Sequence, residues 1–248
     1  MNRRQLYHAI TAVMAALWAG LGLYGGSQVF GAPASYPLFS WRHVPTYADL
    51  GSYTGFTPAE AKFLATHFSA LSIEKGQGMA LEKPGKPPNG EADFLRTARQ
   101  LKTFNPKVCV LFYWNARRFF PFYQADKTVE NAWISNKTRH ASMVHHTPWG
   151  WAIRNSWYRG KPQGGEYVMS NPGFQKWWVN IAVGMAAHRS VDGIFVDGTI
   201  PPATSSPKTK AACLSLVQRL HDKLSGLNKP NLILLNGLED CLNNTGMD

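Results

Sequence analysis

The stretch VDGIFVDGTIPP, residues 191–202, decides the fold. Val191 leads into an Asp-Gly, then three apolar residues (Ile194, Phe195, Val196), then a second Asp-Gly and a Pro-Pro pair. A short, continuous apolar run bounded by turn formers reads as a strand buried on both faces, the kind that fills a parallel sheet. Asp197 stands where that strand ends, so its carboxylate is delivered into a loop.

The same pattern recurs outward from this point. Apolar strands are expected near 44–50, 71–73, 108–113, 193–196 and 232–235. Thr57-Pro58-Ala59-Glu60 sets an N-cap, a first-turn proline and a capping-box glutamate ahead of Ala61, Leu64 and Phe68 on one helical face. Asn171-Pro172 opens another helix, whose Phe174, Trp177, Trp178, Ile181 and Met185 form a wide apolar stripe. Two further helices are expected over 91–104 and 208–224. The order β, α, β, α, β, a long insertion, α, β, α, β is that of βα units wound right-handedly into a parallel sheet, with all strand ends facing one way.

The insertion, 115–170, is rich in aromatics and holds His140, His145 and His146, without a sustained period. A loop of that length in a compact domain is usually functional, and it is expected to form a wall or lid over the strand ends with a hinge-like point at Gly164-Gly165.

Composition narrows the class. With 248 residues, 44% of them apolar, the chain has material for a sizeable core, and disorder is excluded as the default. Arg3 and Arg4 precede an uncharged run over 9–27, and Ala32-Pro33-Ala34 follows with small residues at the spacing a signal peptidase reads. Residues 1–34 are therefore expected to be a signal peptide or, in the other reading, an N-terminal membrane anchor; residues 35–248 form the domain. Localisation would be secreted or periplasmic in the first case and membrane-anchored in the second. Without Arg3 and Arg4 the domain keeps 24 basic against 15 acidic residues, a net charge of +9. Such a charge suits an anionic glycan or a membrane surface, but the Lys and Arg are scattered, which argues against nucleic acid. Cys109, Cys213 and Cys241 are too few and too far apart for a disulfide scaffold or a zinc site, although export would permit one bridge. His145-His146 lacks a helical mate, so no metal and no cofactor is expected.

The chemistry gathers at the carboxyl ends of the strands, the rim where parallel α/β folds hold their ligands. Glu74 and Lys75 follow the second strand, Tyr113, Trp114 and Asn115 close the third, Asp197 follows the fourth, and Asn236 and Glu239 follow the fifth. Carboxylates, aromatics and amides without a glycine-rich phosphate loop suit a sugar. Cleaving a glycosidic bond needs one carboxylate facing the oxocarbenium-like charge and one carboxylic acid assisting the leaving oxygen. Asp197 and Glu74 are the catalytic candidates; Lys75, Tyr113, Trp114, Asn115, Asn236 and Glu239 are the substrate-binding ones, with Glu239 next in line as a second acid. Asp197-Gly198 as a plain turn, Glu74-Lys75 as a solvated pair and Trp114 as a core residue are the structural alternatives.

The segments HVPTYADLGSYTGFTPAEAKFLATHFSALSIEKGQG (43–78), KVCVLFYWNA (107–116), SNPGFQKWWVNIAVGMA (170–186), DGIFVDG (192–198) and LILLNGL (232–238) resemble the TIM-barrel glycoside hydrolases grouped as hypothetical glycosyl hydrolase family fifteen. The resemblance spans most of 38–240 and implies a (β/α)8 barrel acting on a polysaccharide or glycoside. It singles out the Asp of the DGIFVDG strand and the Glu of the SIEK strand, here Asp197 and Glu74. Two features depart from the pattern. Val168 and Met169 stand where such sequences commonly read Asp-Leu, and the five recognisable βα units fall short of eight, so an incomplete barrel lacking its last strands is expected. The expected function is a secreted glycoside hydrolase with a carbohydrate substrate and no protein partner. The alternatives are a degenerate barrel that binds carbohydrate without cleaving it, or a lyase acting on an acidic glycan.

Overall fold

The computed structural model describes residues 44–81, 89–118, 120, 122–126, 144–146, 152–158, 161–199 and 207–236. The N-terminal segment 1–34, Glu239, His140 and Cys241 lie outside the described residues.

Five parallel strands, β1 (Tyr47–Leu50), β2 (Ala70–Ile73), β3 (Cys109–Asn115), β7 (Gly193–Asp197) and β8 (Leu232–Leu235), pair in that order. Each connection carries a helix: α1 (Pro58–His67), α2 (Gly90–Phe104), α3 (Pro172–Ala186) and α4 (Pro207–Ser225). Spatial order equals chain order, so the sheet is wound in one direction with no reversal, which is the winding of a (β/α)8 barrel and not of a doubly wound sheet. The expected α/β barrel-type architecture is what the strands form.

Strand alternation sorts the side chains into two layers. Leu71, Ile73, Val110, Phe112, Trp114, Ile194 and Val196 pack with the helices in the main core. Ala70, Cys109, Leu111, Tyr113 and Phe195, with Leu232 and Leu234, form a second cluster on the opposite face. That second face is concave. Tyr47 of β1 and Leu232 and Leu234 of β8 line one cavity of about 270 Å³, although on a flat sheet the outer strands would stand about 19 Å apart.

The capping signals work as the sequence implies. Thr57 and Glu60 close the capping box, with Thr57 N donating to Glu60 Oε2 at 2.8 Å and Glu60 N to Thr57 Oγ1 at 3.3 Å. Asn171 Oδ1 accepts from the amides of Gly173 (2.8 Å) and Phe174 (3.1 Å). At the amino-terminal side of the sheet, Asp192 accepts from Val110 N (2.8 Å) and pairs with Lys102 (2.6 Å), tying β3, β7 and α2 together.

The insertion differs from expectation. Its described part is a second, antiparallel sheet of β4 (Val144–His146), β5 (Ala152–Tyr158) and β6 (Lys161–Tyr167), not a structureless loop. Gly164 and Gly165 pair with Ser156 and Asn155 inside the β5–β6 ladder, so they are strand positions and not a hinge. The segment KPQGGEY contains the residue types depleted from strands, which is why its pairing was illegible. The insertion is fastened where it rejoins the domain: Tyr167 N donates to Arg117 O at 2.7 Å, and the Tyr167 hydroxyl to the buried carboxylate of Asp126, which also accepts from Phe120 N.

Candidate active site at the carboxyl ends of the strands

The last rung of the β3–β7 ladder pairs Asn115 with Asp197, and two residue pairs below it stand Tyr113 and Phe195. Alternation puts all four on the concave face. Asn236 continues β8, its amide bonding Val196 O at 3.0 Å, and arrives at the same level. Glu74 does the same for β2, bonded to Leu50 O at 2.9 Å.

Asp197 is saturated with donors. Its Oδ2 accepts from the Tyr113 hydroxyl and from Asn115 Nδ2 (2.8 Å), and its Oδ1 from Gly198 N (2.8 Å) and Asn236 Nδ2 (2.9 Å). Burial alone would raise this carboxyl. The hydrogen bonds from Tyr113, Asn236 and Gly198 and the positive charge of Lys75 outweigh it and hold the group below the ordinary aspartate range. At neutral pH Asp197 is therefore an anion held in place. The Tyr113 phenol is shifted the other way, well above its ordinary value, by burial and by its bond to Asp197, so it stays protonated and serves as a donor.

The dipeptide Asp197-Gly198 is more than a turn. Gly198 has φ +74°, and a Cβ there would stand 2.9 Å from Asn115 Oδ1. That oxygen is already engaged, accepting from the amides of Arg117 (2.8 Å) and Arg118 (2.7 Å), which aims the Asn115 amide nitrogen at Asp197. From behind, Trp178 Nε1 of α3 holds the Asn115 carbonyl at 2.9 Å.

Glu74 approaches through Lys75. Lys75 Nζ lies 2.5 Å from Glu74 Oε2, 3.5 Å from the Tyr113 hydroxyl, and 4.5 Å from the centre of the Tyr113 ring. Laid end to end, the 2.5 Å and 3.5 Å contacts and a phenol–carboxylate hydrogen bond of at most about 3.0 Å keep the two carboxylates within about 9 Å. Both Glu74 and Lys75 are partly exposed.

Five of the predicted site residues besides Asp197 thus meet at one place: Glu74, Lys75, Tyr113, Asn115 and Asn236. Trp114 does not. It is 1% exposed, faces the helices, stacks with Trp178 and Phe112, and donates its Nε1 to Trp178 O at 3.3 Å. The reason is the two-residue period of a strand, since Tyr113 and Asn115 face the concavity and Trp114 between them cannot.

Two further residues were not singled out in the sequence. Tyr53, in the β1–α1 loop, is 61% exposed, and its ring lies against Gly76, just past Glu74-Lys75. The two loops are zipped by Gly78 N to Ser52 O (2.7 Å), Ala80 N to Tyr53 O (2.7 Å) and Ser52 N to Gln77 Oε1 (2.6 Å). Asp49, on the concave face of β1, accepts from Ser72, whose hydroxyl also meets Tyr47 OH at 2.6 Å. The strand's alternation could have revealed Asp49. Tyr53 had no such signal, because loop contacts alone place it.

Among the described residues no group of three His, Cys, Asp or Glu side chains is placed to hold a metal ion, and no helix is long and apolar enough to cross a membrane. Cys109 and Cys213 are buried.

A parallel barrel-type sheet holds its ligand at the carboxyl rim, where this chain gathers its carboxylates and amides. The chain belongs to hypothetical glycosyl hydrolase family 15, whose model matches residues 102–229, just over half of the sequence, including Tyr113, Asn115 and Asp197. Among solved structures it is similar to the glycoside hydrolase domain of PelA from Pseudomonas aeruginosa (14% identity, TM-score 0.46), covering 81% of this chain and 63% of that one. It is also similar to α-L-fucosidase isoenzyme 2 from Paenibacillus thiaminolyticus (10% identity, TM-score 0.48, 80% and 34% covered). A third is Aspergillus fumigatus Ega3 in complex with galactosamine (12% identity, TM-score 0.39, 89% and 68% covered). No curated protein matches the chain in sequence.

Proposed function

We propose that the chain is a glycoside hydrolase that cleaves a polysaccharide or glycoside with Asp197 as the ionised carboxylate, acting as nucleophile or charge stabiliser, and Glu74 as the acid/base. The observation that carries this reading is the fourfold hydrogen-bonded Asp197 at the rim, with a second carboxylate within about 9 Å. A carboxylate fixed by preorganised donors meets developing positive charge without reorganising. Glu74, partly exposed and in contact with the Lys75 ammonium, is the second carboxyl within reach of a leaving oxygen at this rim. The upper bound of about 9 Å on the spacing of the carboxyl groups admits both the retaining separation of about 5–5.5 Å and the inverting one of about 6.5–9.5 Å. Asn236, Asn115 and Lys75 supply hydroxyl-binding groups, and Tyr53 supplies the exposed ring face on which a pyranose stacks, the part Trp114 cannot take. Export is proposed as well, on Arg3, Arg4, the uncharged run 9–27 and Ala32-Pro33-Ala34.

The test is release of reducing ends from a panel of neutral and acidic glycans by the wild type, Asp197→Asn and Glu74→Gln. Loss of turnover in both variants, with retained binding, supports hydrolysis. Binding without turnover in the wild type would leave a carbohydrate-binding barrel, and an unsaturated, ultraviolet-absorbing product would make it a lyase.

A further inference from the structure

We infer that the groove between α3 and α4, on the outer helical layer, is a binding site for an acidic glycan segment, recognised by Lys176, Arg219 and Lys223. This goes beyond the reading of the strand-end site and does not depend on hydrolysis there. The groove encloses about 450 Å³. Helical periodicity builds it: Pro172, Lys176, Val179 and Asn180 share one face of α3, and Arg219, Asp222 and Lys223 share one face of α4.

Its floor is fixed. Buried Gln175 donates to Met169 O (3.0 Å) and to Ala212 O (3.1 Å) and accepts from Ser215 Oγ (3.3 Å), so its amide is spent on joining the helices. Asp222, the carboxylate in the lining, accepts from Gln218 Nε2 (2.8 Å) and sits 3.4 Å from His221 Nδ1; these partners hold it below the ordinary aspartate range. Among the described residues no carboxylate pairs with Lys176, Arg219 or Lys223, and Arg219 makes only a 3.4 Å bond to Ser215 Oγ.

Three cations therefore line one concavity against a single carboxylate that pairs directly with none of them, which leaves a net positive charge for an anion to meet. Val179 and Pro172 add an apolar surface, while no aromatic ring lines the groove among the described residues. A neutral sugar would find no stacking platform. A uronate ring offers both the carboxylate the cations need and a flat apolar face.

Affinity electrophoresis in gels cast with polygalacturonate or with neutral dextran tests this, using Asp197→Asn as the parent so that turnover cannot consume the polymer. The parent is expected to be retarded by polygalacturonate and not by dextran. Replacing Lys176, Arg219 and Lys223 together by Gln should weaken the interaction at least about fivefold, with Arg219→Gln alone falling between. A control replacing Lys62, Lys107 and Lys208 by Gln changes net charge equally and should keep the retardation. The proposal is overturned if the groove triple variant migrates like the parent, if the control loses as much, or if millimolar inorganic phosphate abolishes retardation as completely as free polymer does. Near-ultraviolet circular dichroism of each variant establishes that its packing is intact, and the single variant carries the test if the triple does not fold.

Discussion

Asn115 and Asp197 are cross-strand neighbours on the last rung of the β3–β7 ladder, and Asn115 Nδ2 donates to Asp197 Oδ2 at 2.8 Å. The pair joins the main-chain register of the sheet to the chemistry at its rim. A parallel register fixes which residues stand opposite each other, and the carboxylate inherits its donors from that register rather than from a flexible loop.

Asp197→Asn is expected to lower kcat on the order of 10³-fold or more while leaving glycan binding within a few-fold, as measured by reducing-end release and by equilibrium binding. Equal loss of binding and turnover would instead indicate that the side chain only organises the rim.

Tyr113→Phe removes a donor to the charged form of Asp197. The Asp197 carboxyl should then titrate at higher pH, and the acidic limb of the kcat/KM profile should move upward with it. An unmoved limb would mean that another group sets it.

The same depressed carboxyl makes stability depend on pH. Asp197 binds its proton more weakly when folded than when unfolded, so its contribution is fully present above the unfolded value of about 3.9 and is lost as pH falls through the lower, folded value. Thermal melts from about pH 7 down to pH 2 should show the wild type losing more stability than Asp197→Asn.

Gly193→Ala should destabilise the sheet by about 3 kcal/mol in urea unfolding. A Cβ at that position would lie 1.9 Å from Leu232 O, so β7 and β8 would be forced apart. Because Asn236 reaches Asp197 from the end of β8, catalysis should fall too.

Cys109 is pushed up to about 12 by burial and by the nearby Asp192 charge, against the opposing Lys102. In a Cys241→Ser variant, buried Cys109 and Cys213 should both resist a maleimide at about pH 8 until the chain is unfolded. Labelling of the native protein would show that the core opens readily.

Much of this was legible before any coordinates. The capping box at Thr57, the Asn171-Pro172 helix start and the apolar run at 193–196 each gave the right element, because caps and continuous apolar strands are local signals. The antiparallel sheet of the insertion was not legible, since glycine-rich strands carry no pattern of their own and exist only through their partners.

By itself the sequence determined the βα order and the presence of Asp197, Glu74 and their polar companions at strand ends, all consequences of short-range periodicity. Only the tertiary structure decided which faces those residues occupy and which atoms meet. It turned Trp114 into the core, drew Tyr113, Asn115 and Asn236 onto one carboxylate, brought Tyr53 beside Gly76, and opened a basic groove between two helices. The physical reason is that hydrogen bonds and charge pairs between residues as far apart as 113 and 197 are set by strand register and sheet curvature, and neither is written in any single segment.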